Sequence, residues 1–134
     1  VEEMAAAGAI SIDFEAVGEA GERLPDEVET VLYRVTQEAL GNVLRHARPT
    51  RVSVLLIRRR GEISVLVEDD GVGFDARAID ALPSTATLGI AGMRERLGPV
   101  GGSLTIESEL GRGTTVSAVV PVEAEPEDVL EVAS

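Results

Sequence analysis

Cysteine and lysine are both absent from this 134-residue chain, and histidine occurs once, as His46. Without cysteine there are no disulfides and no thiol chemistry, and the redox compartment stays undetermined. Without lysine there is no P-loop, which sets an ammonium on the phosphates, and no Schiff-base catalysis. All 12 basic residues are therefore arginine. A single histidine rules out a His-rich metal site, and a Ser-His-Asp triad is disfavoured because no nucleophile-elbow pattern accompanies it. Long apolar runs are also missing. Nothing approaches the ~20 residues of a membrane span, and no secretory h-region is present. A soluble, cytoplasmic domain without membrane contact of its own is expected. Positive charge is scarce: the formal net charge is −12, which disfavours binding to nucleic-acid phosphates. The chain opens on Val1 rather than methionine, and it is expected to be processed or, in preference, cut from a longer protein.

What is present suits one domain. At this length roughly 65–70% of the unfolded chain's surface can be buried, and 44% of the residues are hydrophobic. In "AISIDFEAV" (9–17) Ile10, Ile12 and Phe14 alternate with polar neighbours, the period of a half-buried strand. From Pro25 to about Ala47 the residues Val28, Val31, Leu32, Val35, Ala39 and Val43 follow helical spacing. Pro25 fits the first turn, Asp26, Glu27 and Glu29 suit the positive end of the helix dipole, and Pro49 marks the stop. "RVSVLLIRRR" and "EISVLVED" flank Gly61 as two antiparallel strands. Residues 74–88 read as a loop with a short helical turn around Arg77 to Ala81. A glycine-opened helix over 89–102 ends at Gly98-Pro99, and "SLTIESE" and "TTVSAVVPV" form a last strand pair around "LGRG". The tail "EAEPEDVLEVAS" carries five acids and is expected to be disordered. This order implies a two-layer α/β sandwich with a mixed, mostly antiparallel sheet and helices on one face, within a domain 1–122 followed by a tail 123–134.

Four short stretches carry chemistry. "VEDDGVGFD" (67–75) ends a strand with two carboxylates and two glycines. Its "GVGFDA" fits the dinucleotide fingerprint G-x-G-x-x-A, but Asp69 and Asp70 would then repel a pyrophosphate. The acid that fingerprint requires ~20 residues on is replaced by a second glycine cluster. An ionised Asp69 is acceptor-only and suits the exocyclic amine of adenine, while it repels the O6 acceptor of guanine. Gly71 and Gly73 would let a purine lie against bare backbone. A plain hairpin turn is the bland alternative. In "QEALGNVLRHA" Glu38, Asn42 and His46 follow one another at one-turn intervals with Arg45 nearby. An amide oxygen is a hard ligand that Mg²⁺ accepts beside waters and phosphates, a carboxylate can orient or deprotonate a nucleophile, and an arginine can offset phosphate charge. An ordinary solvated helix face explains the same spacing. "GIAGMRERL" places Gly89 and Gly92 at a helix start, where free amides hold anions; a glycine hinge is compatible with this. In "GRGTT" Thr114 begins a strand where its hydroxyl could share a bond with the adenine-reading acid, or simply follow a turn.

In this order and spacing the four stretches resemble the ATP-binding domain of the gyrase, heat-shock chaperone, histidine kinase and mismatch-repair superfamily. They correspond to the N box, two glycine boxes and a closing glycine-threonine element, and the resemblance covers Ile10 to about Val122. "NVLRHA" and "GMRERL" are most similar to two-component histidine kinases, in the subfamily of nitrate and membrane-lipid sensors. The resemblance implies the Bergerat fold, with ATP and Mg²⁺ as ligands. Asp69 would read adenine and Asn42 would bind Mg²⁺. Glu38 would be the N-box acid acting in catalysis, and residues 74–88 would form a short lid. Arg45, His46, Gly71, Gly73, Gly89, Gly92, Met93 and Thr114 would complete the nucleotide site. The family's phosphoacceptor histidine lies in a separate dimerisation domain, and His46 belongs to the N box. The implied partners are therefore that histidine-containing domain and a response regulator, and the isolated domain is expected to be a monomer. Two other readings stay open: an anti-sigma-type serine kinase of the same fold, against which the N box and "GMRERL" weigh, and a non-catalytic nucleotide-binding module.

Overall fold

Apolar residues alternate along "RVSVLLIRR" and "EISVLVED", and in the computed structural model these segments are the two strands that hold the centre of the molecule together. The structure describes residues 10–18, 24–73 and 89–122. Within them the elements run β1 (Ser11–Gly18), α1 (Asp26–Asn42), β2 (Arg51–Arg59), β3 (Glu62–Asp69), α2 (Ile90–Leu97), β4 (Ser103–Glu109) and β5 (Gly113–Pro121). The sheet order is β1-β2-β3-β5-β4. β1 pairs with β2 in parallel, and the other pairs are antiparallel. Helix α1 supplies the crossover that a parallel pair requires. The expected two-layer sandwich is therefore present.

The helical repeat of α1 puts Val28, Leu32, Val35, Ala39 and Val43 on one buried stripe. Opposite them, the period-2 repeat of β3 turns Ile63, Val65 and Val67 inward, and β5 adds Ala118 and Val120. Met93 and Leu97 of α2 close the same core. Each such valine, leucine, isoleucine or methionine side chain stabilises the fold by about 1.5–3 kcal/mol on full burial. One face of β3 is therefore fixed in register. Asp69, two residues past Val67, must point toward the helix layer.

Two details depart from the sequence reading. Phe14 does not share the half-buried environment of Ile12: it is 70% exposed, and among the described residues α1 packs mainly over β3 and β5, away from the edge strand. The first helix also changes pitch. It is α-helical to Asn42 and then widens into a π-helical turn over Val43–Ala47. Arg48, with φ 50°, and Pro49 end it. Such widened turns cluster at functional sites. The expectations for residues 74–88, including the turn around Arg77 to Ala81, and for the tail 123–134 lie outside the described residues. No described helix is long and apolar enough to cross a membrane.

Candidate active site

The end of β3, the widened end of α1, the start of α2 and the β4–β5 hairpin enclose a cleft of ≈ 530 Å³, part of it open to solvent. Its walls are mostly apolar. Val43, Ile90, Met93, Ile106 and Val116 line it, together with the polar groups of Asn42, His46, Asp69 and Thr114 and the backbone of Gly73. A concave, mostly apolar cleft with few polar groups is the usual form of a small-molecule site.

Asp69 sits at the floor. Its Oδ1 accepts a hydrogen bond from the Gly71 N–H at 2.8 Å. Its Oδ2 is buried without a hydrogen-bond partner among the described residues. Burial pushes this carboxyl above the ordinary aspartate range. The Gly71 amide opposes that shift, the adjacent charge of Asp70 adds to it, and the Thr114 amide across the β3–β5 pair works weakly against it. A buried acceptor left unpaired costs roughly 1–3 kcal/mol, which a ligand donor would recover.

The two acids that the sequence places side by side have separate environments. Asp69 faces the cleft, while the carboxylate of Asp70 accepts bonds from Thr50 and Arg51. The glycines that follow also differ from expectation. A Cβ at Gly71 would run into the carbonyl of Ala47, and one at Gly73 into the carbonyl of Glu109. The bare backbone therefore admits neighbouring protein chain. Val72 N–H donates to Ala47 O at 2.8 Å, and Gly111 N–H donates to Val72 O at 2.7 Å. The loop after Asp69 is held from both sides.

Of the N-box residues, Asn42 and His46 line the cleft and Glu38 and Arg45 are not among its lining residues. Arg45 Nη2 donates to Asn42 Oδ1 at 3.2 Å. Glu38 reaches α2 instead: its carboxylate packs against Gly89, the left-handed residue (φ 70°) that opens that helix. It thus lies where the amides of a helix start attract negative charge. Gly92 faces open space within α2, and Met93 is buried at the cleft. Thr114 stands opposite Asp69 in the β3–β5 register. Its hydroxyl lies 2.8 Å from Ser108 Oγ. Ser108 Oγ in turn donates to Gly113 O at 3.0 Å, so the proton between the two hydroxyls comes from Thr114. Sequence reasoning missed Ser108, Thr50 and the separate task of Asp70. Only the last had a visible signal, a second carboxylate where one suffices to read a base.

The model of the family described as "Histidine kinase-, DNA gyrase B-, and HSP90-like ATPase" matches residues 27–124. The signal transduction histidine-protein kinase/phosphatase DegS of Brevibacillus brevis is 34% identical over 116 residues, covering 87% of this chain and 29% of that protein. The oxygen sensor histidine kinase NreB of Staphylococcus carnosus (strain TM300) is 43% identical over 103 residues, covering 77% of this chain and again 29% of the relative. The chain thus spans less than a third of either. Among solved structures, full-length ShkA in complex with AMPPNP superposes with a TM-score of 0.75 at 21% identity, covering 92% of this chain and 28% of that one. That likeness concerns the fold.

Proposed function

The chain belongs to the histidine kinase-, DNA gyrase B- and HSP90-like ATPase family, and on that premise we propose that residues 1–122 form the ATP-binding catalytic domain of a two-component sensor histidine kinase, with 123–134 as an acidic tail. The observation that carries this reading is the partnerless Oδ2 of Asp69 at the floor of an apolar cleft. It is a buried acceptor on a residue that lines the cleft, and the exocyclic amine of adenine is a donor that would satisfy it.

ATP enters with adenine against Asp69 and between the apolar walls, and its phosphates run toward Asn42, Arg45 and the opening of α2 at Gly89 and Gly92. Mg²⁺ fits the donor set. The described residues hold no cluster of three or more acid or histidine side chains that could bind a metal alone. One amide oxygen, that of Asn42, is the kind of single protein ligand that Mg²⁺ takes beside phosphate oxygens and water. When bound, the ion neutralises phosphate charge. Arg45 adds a second positive charge from the same turn of helix.

The chemistry is phosphoryl transfer. An imidazole nitrogen on a histidine-containing dimerisation domain attacks the γ-phosphorus in line. The bond from that phosphorus to the β,γ-bridging oxygen breaks, ADP leaves, and the phosphohistidine is relayed to a response regulator. The catalytic domain contributes placement and charge compensation, which dominate such reactions. Glu38, one turn before Asn42, orients or deprotonates the attacking imidazole. The domain works in the cytoplasm and is a monomer when isolated.

The test is calorimetric titration with ATP and GTP in Mg²⁺, then phosphotransfer to a cognate dimerisation domain by wild type and Asn42→Ala. Saturable heat with ATP alone is expected, with transfer lost in the variant and its thermal melt unchanged. Transfer that persists in Asn42→Ala would remove Asn42 as the metal ligand, and equal binding of both nucleotides would remove the adenine reading.

A further inference from the structure

Asp70 carries three hydrogen bonds and no place in the cleft. Its Oδ1 accepts from the backbone N–H of Thr50 at 2.8 Å and of Arg51 at 2.9 Å. Its Oδ2 accepts from Thr50 Oγ1 at 2.6 Å. The backbone adds a fourth link, Asp70 N–H to Arg51 O at 3.2 Å. Bonds to an ionised carboxylate at these lengths are the strong, charge-assisted kind. They tie the residue after Asp69 to the segment directly after the widened turn that carries His46.

The Asp69 side chain accepts from the Gly71 N–H, and its Oδ2 has no partner among the described residues. From these contacts we infer that Asp70 is the positioning residue of the adenine site: it fixes the end of β3 so that Asp69 Oδ2 points at the amine of the base. The inference rests on the adenine reading given above. It assigns the paired acids two tasks, one acid facing the ligand and one gripping the scaffold. A reader held this way keeps its angle when the cleft is empty, which a site selective for one purine requires.

The experiment compares binding of ATP and inosine triphosphate, which differ only around the 6-position of the base, by wild type, Asp69→Asn, Asp70→Ala, Asp70→Asn and Thr50→Val. Thermal melts establish the folded fraction of each. Asp70→Ala removes every side-chain bond; we expect ATP affinity to fall about tenfold and the preference for ATP over the inosine nucleotide to narrow at least about threefold. Asp70→Asn keeps both backbone bonds and can still donate to Thr50 Oγ1, so it restores most of the preference. Thr50→Val, which loses one bond of three, narrows it by a smaller step. A merely structural role would lower both affinities together and leave their ratio alone. If Asp69→Asn changes the ratio but Asp70→Ala and Thr50→Val keep the wild-type value, the positioning role is overturned and the adenine reading stands. If Asp69→Asn leaves both affinities at wild type, the adenine reading itself falls. Should Asp70→Ala be unfolded at the assay temperature, the comparison passes to Thr50→Val, and an unchanged ratio there overturns the inference.

Discussion

Replacing Asp69 by asparagine changes one atom and reverses what the floor of the cleft presents. The Gly71 N–H donates to Oδ1 at 2.8 Å, so the amide must keep its oxygen on that side. Its NH₂ then occupies the place of the buried, partnerless Oδ2. A donor now faces the donor amine of adenine. The hydrogen bond to a charged group that is lost is worth roughly 1.5–3 kcal/mol, which converts to about 10- to 150-fold in ATP affinity. Inosine triphosphate, whose O6 accepts, should lose little or gain. The empty protein should scarcely notice. Asparagine removes the burial cost and the repulsion from Asp70 that hold this carboxyl above its usual range, while the bond from Gly71 weakens from charged to neutral. These effects are opposite in sign, so the melting temperature should move by less than about 4 °C. Calorimetry with the two nucleotides and a thermal melt of the free protein decide the matter. Unaltered ATP affinity, in a variant that melts like wild type, would take Asp69 out of the adenine pocket.

Glycine substitutions separate packing from binding. Gly71→Ala drives a Cβ into the carbonyl of Ala47, which already accepts from Val72, so a loss of about 2–3 kcal/mol is expected, read as a melting point roughly 6–12 °C lower. Gly92→Ala meets nothing within 4 Å and should stabilise the helix by about 0.5–1 kcal/mol, yet weaken ATP severalfold if the phosphates pass there; unchanged affinity would remove Gly92 from the site. Acid titration tests the grip of Asp70. Its carboxyl is lowered from 3.8 to about 2 by the Thr50 hydroxyl and the Arg51 and Thr50 amides, so its contribution is present above pH 3.8 and lost as pH falls through about 2. The stability gap between wild type and Asp70→Asn should close over that window, and a gap constant with pH would refute the assignment. Asp69 acts with opposite sign. Its raised value means that the ionised form costs stability at neutral pH, a cost relieved as pH falls.

Much of this was written in the local pattern of the chain. The period of 3.6 in Val28, Leu32, Val35, Ala39 and Val43, and the period of 2 in Ile63, Val65 and Val67, each define one buried face. Those two faces alone oblige a helix layer against a sheet with Asp69 turned inward. The position of Asn42 and His46 at the cleft was legible for the same reason. What was not legible depends on backbone meeting backbone across long separations. Gly71 and Gly73 looked like room left for a ligand, because sequence shows that a Cβ is missing but not which chain fills the space. Ala47 and Glu109 fill it. The exposure of Phe14 depends on how far α1 reaches over the sheet, which no alternation within "AISIDFEAV" encodes.

The widened end of α1 is the least local of these features and links the others. A regular helix would turn about 100° per residue, and the π-helical turn from Val43 to Ala47 slows that rotation, yet His46 still shares the cleft with Asn42. Glu38 is left facing Gly89 at the opening of α2, while Asn42 and His46 face the cleft. The carbonyl of Ala47, at the end of the same turn, accepts from Val72, and Thr50, three residues on, is gripped by Asp70. The segment that carries the proposed metal ligand is thus bonded to both sides of the loop that begins at Asp69. On the proposed function, adenine reading and phosphate placement would share one piece of backbone, which gives a physical reason for the two motifs to act as a unit although they lie far apart in the chain.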